Sequence, residues 1–147
     1  MYQVVNYDQA QRKDAFLETA EKMKLNEAVV EKNYWACFIL DYFFHQNEYS
    51  TRFSFRPRGL NEPVGAMKRF SEDLKLNICL DDLGYENLEG FIKTEFLPKA
   101  QNYMHQKVKE TVEVSFQKTD TSILCFRYPK VCSAENVSYQ IEIMIYQ

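Results

Sequence analysis

Between Val137 and Tyr146 every second residue is apolar: Val137, Tyr139, Ile141, Ile143 and Ile145 alternate with Gln140, Glu142 and Met144. Only a chain that puts successive side chains on opposite faces can bury one set and expose the other. The segment is therefore predicted as a strand over 137–146, in a sheet with one apolar and one polar face. Residues 51–56 alternate in the same way, with Phe53 and Phe55 against Arg52, Ser54 and Arg56. So does a strand over 73–80, where Leu74, Leu76, Ile78 and Leu80 oppose Asp73, Lys75, Asn77 and Cys79. Shorter strands are expected over 112–117 and 121–128.

The remaining segments carry the helical period. Phe16, Leu17, Ala20 and Met23 form one stripe of a helix over 8–24. Asn26 is placed to cap a second helix over 27–46. Val30, Tyr34, Cys37, Phe38 and Asp41 follow its spacing, and Val29, Trp35, Ile39, Tyr42 and Phe43 widen its apolar surface, so it should be buried on most sides. A third helix, 87–111, contains Pro98, which should kink or split it. Pro57, Gly59, Pro63 and Gly65 mark a turn-rich connection between the first two strands. The resulting order predicts one α+β domain over residues 1–147, with a mixed or antiparallel sheet and flanking helices.

The 147 residues suffice for a core without disulfides or metals. Cys37, Cys79, Cys125 and Cys132 form no CxxC pair and read as buried small hydrophobes of a reducing compartment. His45 and His105 are isolated, which excludes a histidine-based metal site. The amino terminus has no apolar signal region, and the apolar run from Tyr34 to Phe44 is interrupted by Asp41 and too short to span a bilayer. A cytoplasmic protein without a membrane partner is the expectation.

Net charge is −3, so the chain as a whole lacks the basic footprint of a dedicated nucleic-acid binder. One stretch departs from this. Arg52, Arg56, Arg58, Lys68, Arg69 and Lys75 stand against Glu62, Glu72 and Asp73. A phosphate-bearing ligand would feel that excess, and solvated surface charge is the plain alternative.

The segment Phe70-Ser71-Glu72-Asp73-Leu74-Lys75-Leu76 carries the most chemical information. Nucleotidyltransferases place an Asp-x-Asp pair at the start of a strand, so that both carboxylates reach Mg²⁺ ions bridging nucleotide phosphates. Read alone, Ser-Glu-Asp before a strand is a surface turn. Two further segments set it in context. Val30-Glu31-Lys32-Asn33-Tyr34-Trp35 resembles the Val-Glu-Lys-Asp-Tyr-Trp helix of the AbiEii/AbiGii nucleotidyltransferase toxins. Arg69-Phe70-Ser71-Glu72-Asp73-Leu74 resembles their Arg-Phe-Ser-Glu-Asp-Ile-Asp segment. Phe96-Leu97-Pro98, Phe126-Arg127-Tyr128-Pro129 and Ile141-Glu142-Ile143 follow in the order found in that family.

The resemblance implies a polymerase-β-like nucleotidyltransferase fold. It implies the toxin half of a type IV toxin–antitoxin or phage-defence system, using Mg²⁺ to transfer a nucleotide from an NTP to an acceptor such as tRNA, with a cognate antitoxin as partner. Asp73 and Glu142 would be its catalytic and metal-binding carboxylates. Arg56, Arg58, Gly59, Arg69 and Lys75 would face nucleotide or phosphate.

Departures from the family pattern imply a degenerate site. Phe55-Arg56-Pro57-Arg58-Gly59-Leu60-Asn61 stands where the family has Phe-Lys/Arg-Gly-Gly-Thr-Ser-Leu. Pro57 removes a backbone donor, and Arg58 puts a side chain where backbone should approach phosphate. Lys75 replaces the second aspartate. Unit charges about 4 Å apart interact by roughly 4 kcal/mol at an effective dielectric of 20, so Lys75 would repel Mg²⁺ and pair with Asp73 or Glu142. The mostly helical half that follows in the family, with its catalytic lysine, has no counterpart in these residues. Three functions stay open: a degenerate transferase that binds a nucleotide or acidic ligand, a working Mg²⁺-dependent NTP:tRNA nucleotidyltransferase, and a protein-binding module.

Overall fold

The computed structural model describes residues 4–56, 74–135 and 137–147. Helix α1 spans Gln9–Met23. Asp8 opens it with a reciprocal cap: its carboxylate accepts from the Gln11 amide at 2.8 Å, and the Gln11 side chain accepts from the Asp8 amide at 3.0 Å. Lys24 closes it in the left-handed region, at φ 56°.

Helix α2 spans Glu27–His45, and Asn26 caps it as its sequence predicts, accepting from the Ala28 amide. It is buried nearly all round. Trp35, Ala36, Ile39 and Phe43 are fully buried, with Phe38 and Tyr42 close behind. Its last carbonyls are not left to water: the Asn47 carboxamide donates to Tyr42 O at 2.7 Å and Phe43 O at 3.0 Å.

Five strands follow: β1 (Phe53–Phe55), β2 (Leu74–Ile78), β3 (Glu113–Lys118), β4 (Ser122–Arg127) and β5 (Gln140–Tyr146). They form one mixed sheet in the order β1-β2-β5-β4-β3. Only β2 and β5 run parallel; the other neighbours are antiparallel. The register aligns Leu74 with Ile143 and Leu76 with Ile145, and across the next pair Leu124 with Ile143 and Phe126 with Ile141. These apolar residues share the face packed beneath α2 and the later helices.

The third predicted helix, 87–111, runs unbroken from Leu88 to Lys107, and its hydrogen bonding widens just ahead of Pro98 without splitting it. It consists of α3 (Leu88–Phe91), a π-helical stretch over Ile92–Phe96 and α4 (Leu97–Lys107). Pro98 has no N–H to donate, and the Leu97 amide bonds Ile92 O, one residue wider than α-helical spacing.

Several expectations need correction. The predicted strand over 137–146 begins only at Gln140. Arg127 pairs with Gln140, and Pro129 just beyond cannot extend β4, so residues 137–139 have no ladder to join. Val137 packs instead with Phe16, Val30 and Cys132 in a second, smaller cluster around α1 and α2. The predicted strand over 73–80 ends at Ile78. Cys79, read above as buried, is exposed beyond that end, and Cys37 is partly exposed; Cys125 and Cys132 are buried. Among the described residues no helix is long and apolar enough to cross a membrane.

Candidate functional site

Among the described residues the helices cover one face of the sheet, and the polar positions of the strands line the other. Alternation puts Lys75 and Asn77 of β2 on that open face, beside Met144 and Tyr146 of β5. Glu142 lies one step further along β5, opposite Cys125 of β4. Arg56 follows β1. Its amide donates to Lys75 O at 2.9 Å, and its guanidinium lies 3.9 Å from the centroid of the Tyr146 ring. That is a cation–π contact, which draws the arginine from β1 across β2 towards the central strand β5.

Of the predicted site residues, the structure thus brings Arg56, Lys75 and Glu142 to one surface. Glu142 is exposed and accepts from the Gln140 carboxamide at 2.7 Å. Arg58, Gly59, Arg69 and Asp73 lie outside the described residues, so the expected Asp73–Lys75 pairing does too. Among the described residues no group of three His, Cys, Asp or Glu side chains is placed to hold a metal ion. The described donor set at the predicted metal position is one carboxylate with a lysine on the neighbouring strand. An ammonium disfavours a divalent cation there, so these residues by themselves do not fit a two-metal cage.

The Glu31-Lys32-Tyr34-Trp35 segment of α2 has a different use. The Glu31 carboxylate is fully buried and accepts from the backbone amides of Val131 at 2.7 Å and Cys132 at 3.1 Å. Burial pushes its pKa up, while those two amides and the nearby Arg12 pull it down. Lys32 donates to the Ser138 hydroxyl at 2.8 Å. The Trp35 ring stacks on Tyr128, at 6.0 Å and 11°. From α1 the fully buried Arg12 reaches the same segment. It donates to Pro129 O at 3.1 Å, Tyr7 O at 3.3 Å and the Glu110 carboxylate at 2.9 Å. Together these side chains fasten the β4–β5 connection, and so fix where β5 starts and where Glu142 stands.

That connection bounds a cavity of about 420 Å³, lined by Arg127, Tyr128, Lys130, Ser138, Tyr139 and Gln140. The Lys130 ammonium sits 3.6 Å from the centroid of the Tyr139 ring. Sequence reasoning missed these residues as a site. The available signal was two cations flanking Tyr128-Pro129, but nothing in the spacing shows that Tyr139 and Ser138 return to them.

No family model, characterised protein or solved structure significantly matches this chain.

Proposed function

We propose that the chain is an AbiEii-like nucleotidyltransferase-fold protein of a toxin–antitoxin or phage-defence system, catalytically degenerate, retaining a surface that holds nucleotide or phosphate. The observation that carries this reading is the position of Lys75. It lies on the open face of the mixed sheet, beside Met144 and near Glu142, where the resemblance calls for a second metal-binding carboxylate. A cation there trades metal affinity for phosphate affinity. Arg56, on the same surface, adds a second cation. The fastening of β5 by Glu31, Lys32 and Trp35 also gives the toxin-like helix segment a physical purpose.

The test is transfer of labelled NTP to total tRNA in the presence of Mg²⁺. No labelling above background is expected. Labelling that disappears in Asp73→Ala would overturn the reading in favour of an active Mg²⁺-dependent NTP:tRNA nucleotidyltransferase. Calorimetric Mg²⁺ titration gives a second measure. Lys75→Asp should bind Mg²⁺ at least about tenfold more tightly than the parent, since one like charge is replaced by a ligand. Equal affinities would mean that Lys75 does not bear on the metal position.

A further inference from the structure

The cavity between the end of β4 and the start of β5 holds two cations, Arg127 and Lys130. Neither takes part in an ion pair among the described residues, and both are exposed. Two of the nearby carboxylates accept hydrogen bonds elsewhere: Glu31 from the Val131 and Cys132 amides, Glu142 from Gln140. Glu113, opposite Arg127 on β3, is exposed. A third cation stands behind the wall. Lys32 is buried and donates to the Ser138 hydroxyl, which leaves that hydroxyl's own hydrogen to donate elsewhere. A hydroxyl that accepts from an ammonium is a polarised donor.

We infer that this cavity is a binding site for a phosphate monoester with an organic body about the size of a nucleoside. Arg127 supplies a planar fork that fits phosphate oxygens two at a time. Lys130, held on the Tyr139 ring, supplies a point charge, and Ser138 a hydroxyl donor. Bare phosphate would leave most of the space empty, because about 420 Å³ lies within the range of small-molecule pockets, roughly 300–1,000 Å³. The inference is independent of the transferase reading. It uses none of Arg56, Lys75 or Asp73, and it stands if the surface around Lys75 binds nothing.

The test uses the full chain, with adenosine 5′-monophosphate and inorganic phosphate as probes. Amide shifts are followed by heteronuclear NMR and affinities by calorimetry. Saturable shifts at Arg127, Lys130, Ser138 and Gln140 are expected, with the nucleotide bound more tightly than phosphate. Arg127→Ala and Lys130→Ala should each weaken the nucleotide about tenfold, the loss of one charge-assisted hydrogen bond. Both side chains are exposed, so an unchanged spectrum away from the cavity verifies the fold of each variant. No saturable binding overturns the proposal. So do shifts confined to Arg56, Lys75 and Tyr146, nucleotide binding no tighter than phosphate, or unchanged affinity in both variants.

Discussion

Glu31 is a buried carboxylate whose charge is tolerated because two backbone amides point at it. Desolvation still outweighs them, so its pKa in the fold lies above the ordinary carboxylate value. The sign of the pH effect follows by linkage. A group whose folded pKa is raised takes up its proton in the native state first. Its contribution to stability therefore grows as pH falls from neutrality through the folded pKa, and is complete below the unfolded pKa. Glu110 behaves oppositely: its hydrogen bond from Arg12 holds its pKa down, so acid removes its contribution. Comparing the parent with Glu31→Gln cancels Glu110 and every other shared group. Urea unfolding at a series of pH values from neutrality down to the ordinary glutamate range should show the stability difference moving in the parent's favour. A flat difference, or one moving the other way, would show that the amides outweigh burial. The cysteines offer a second residue-scale prediction. Burial, with Glu31 beside it, pushes the Cys132 thiol up to about 11. Cys125 is also raised by burial, and Cys79 is exposed. A thiol reagent at pH 8 should therefore modify Cys79 fastest, and Cys125 and Cys132 only on unfolding. Mass spectrometry of partially labelled protein reads the order directly, and early labelling of Cys132 would contradict the packing around Glu31.

At the scale of elements, α2 carries more of the structure than any single strand. Trp35 has no exposed surface, contacts the edges of Tyr34 and Phe38, and stacks on Tyr128. Trp35→Ala would leave a cavity at the junction of helix, sheet and the β4–β5 connection. A loss of about 3–5 kcal/mol is expected, measured by chemical denaturation. A variant that unfolds at the parent's midpoint would mean that α2 is not the keystone of the core. The period of its apolar residues made this helix, and its burial, legible in the sequence. That Pro98 would disturb its helix was legible from a missing N–H, although the helix is widened upstream and not split. The strand pairing was not. Alternation tells which side chains share a face of one strand, but the parallel register of Leu74 with Ile143 joins residues far apart in the chain. The start of β5 at Gln140 was also hidden, since Pro129 ends β4 and the buried charges of Glu31 and Arg12 hold the connection through contacts that no local pattern shows. The same cause hid the Arg127–Lys130 cavity. Its walls converge only because those buried charges hold the connection in place. Lys75 and Glu142 could be assigned polar faces in advance, but not placed on adjacent strands by pattern alone.

Among the described residues, helices pack on one side of the sheet and the polar positions of the strands lie on the other, and stability is distributed unevenly across that sheet. β5 lies in the middle, bonded to β2 and β4, with Ile141, Ile143 and Ile145 almost wholly buried. Among the described residues β1 lies at an edge, is three residues long, and pairs with β2 alone. Its Phe55 is 54% exposed and packs on Phe44. Local opening of β1 exposes chiefly Phe53, whereas opening β5 breaks the sheet in two. Native-state hydrogen exchange should therefore give β5 amides the global unfolding free energy, and β1 amides roughly half of it or less. This gradient bears on function, because Arg56 and Lys75 sit at the weak end. A triphosphate held by those two cations would tie β1 to β2 and slow exchange there, leaving β5 unchanged. A ligand in the Arg127–Lys130 cavity would instead protect the residues around Gln140. Exchange with and without saturating NTP thus locates the ligand by where protection rises. Uniform protection of β1 and β5 in the free protein would contradict the edge argument. A rise confined to the start of β5 would remove Arg56 and Lys75 from the binding surface.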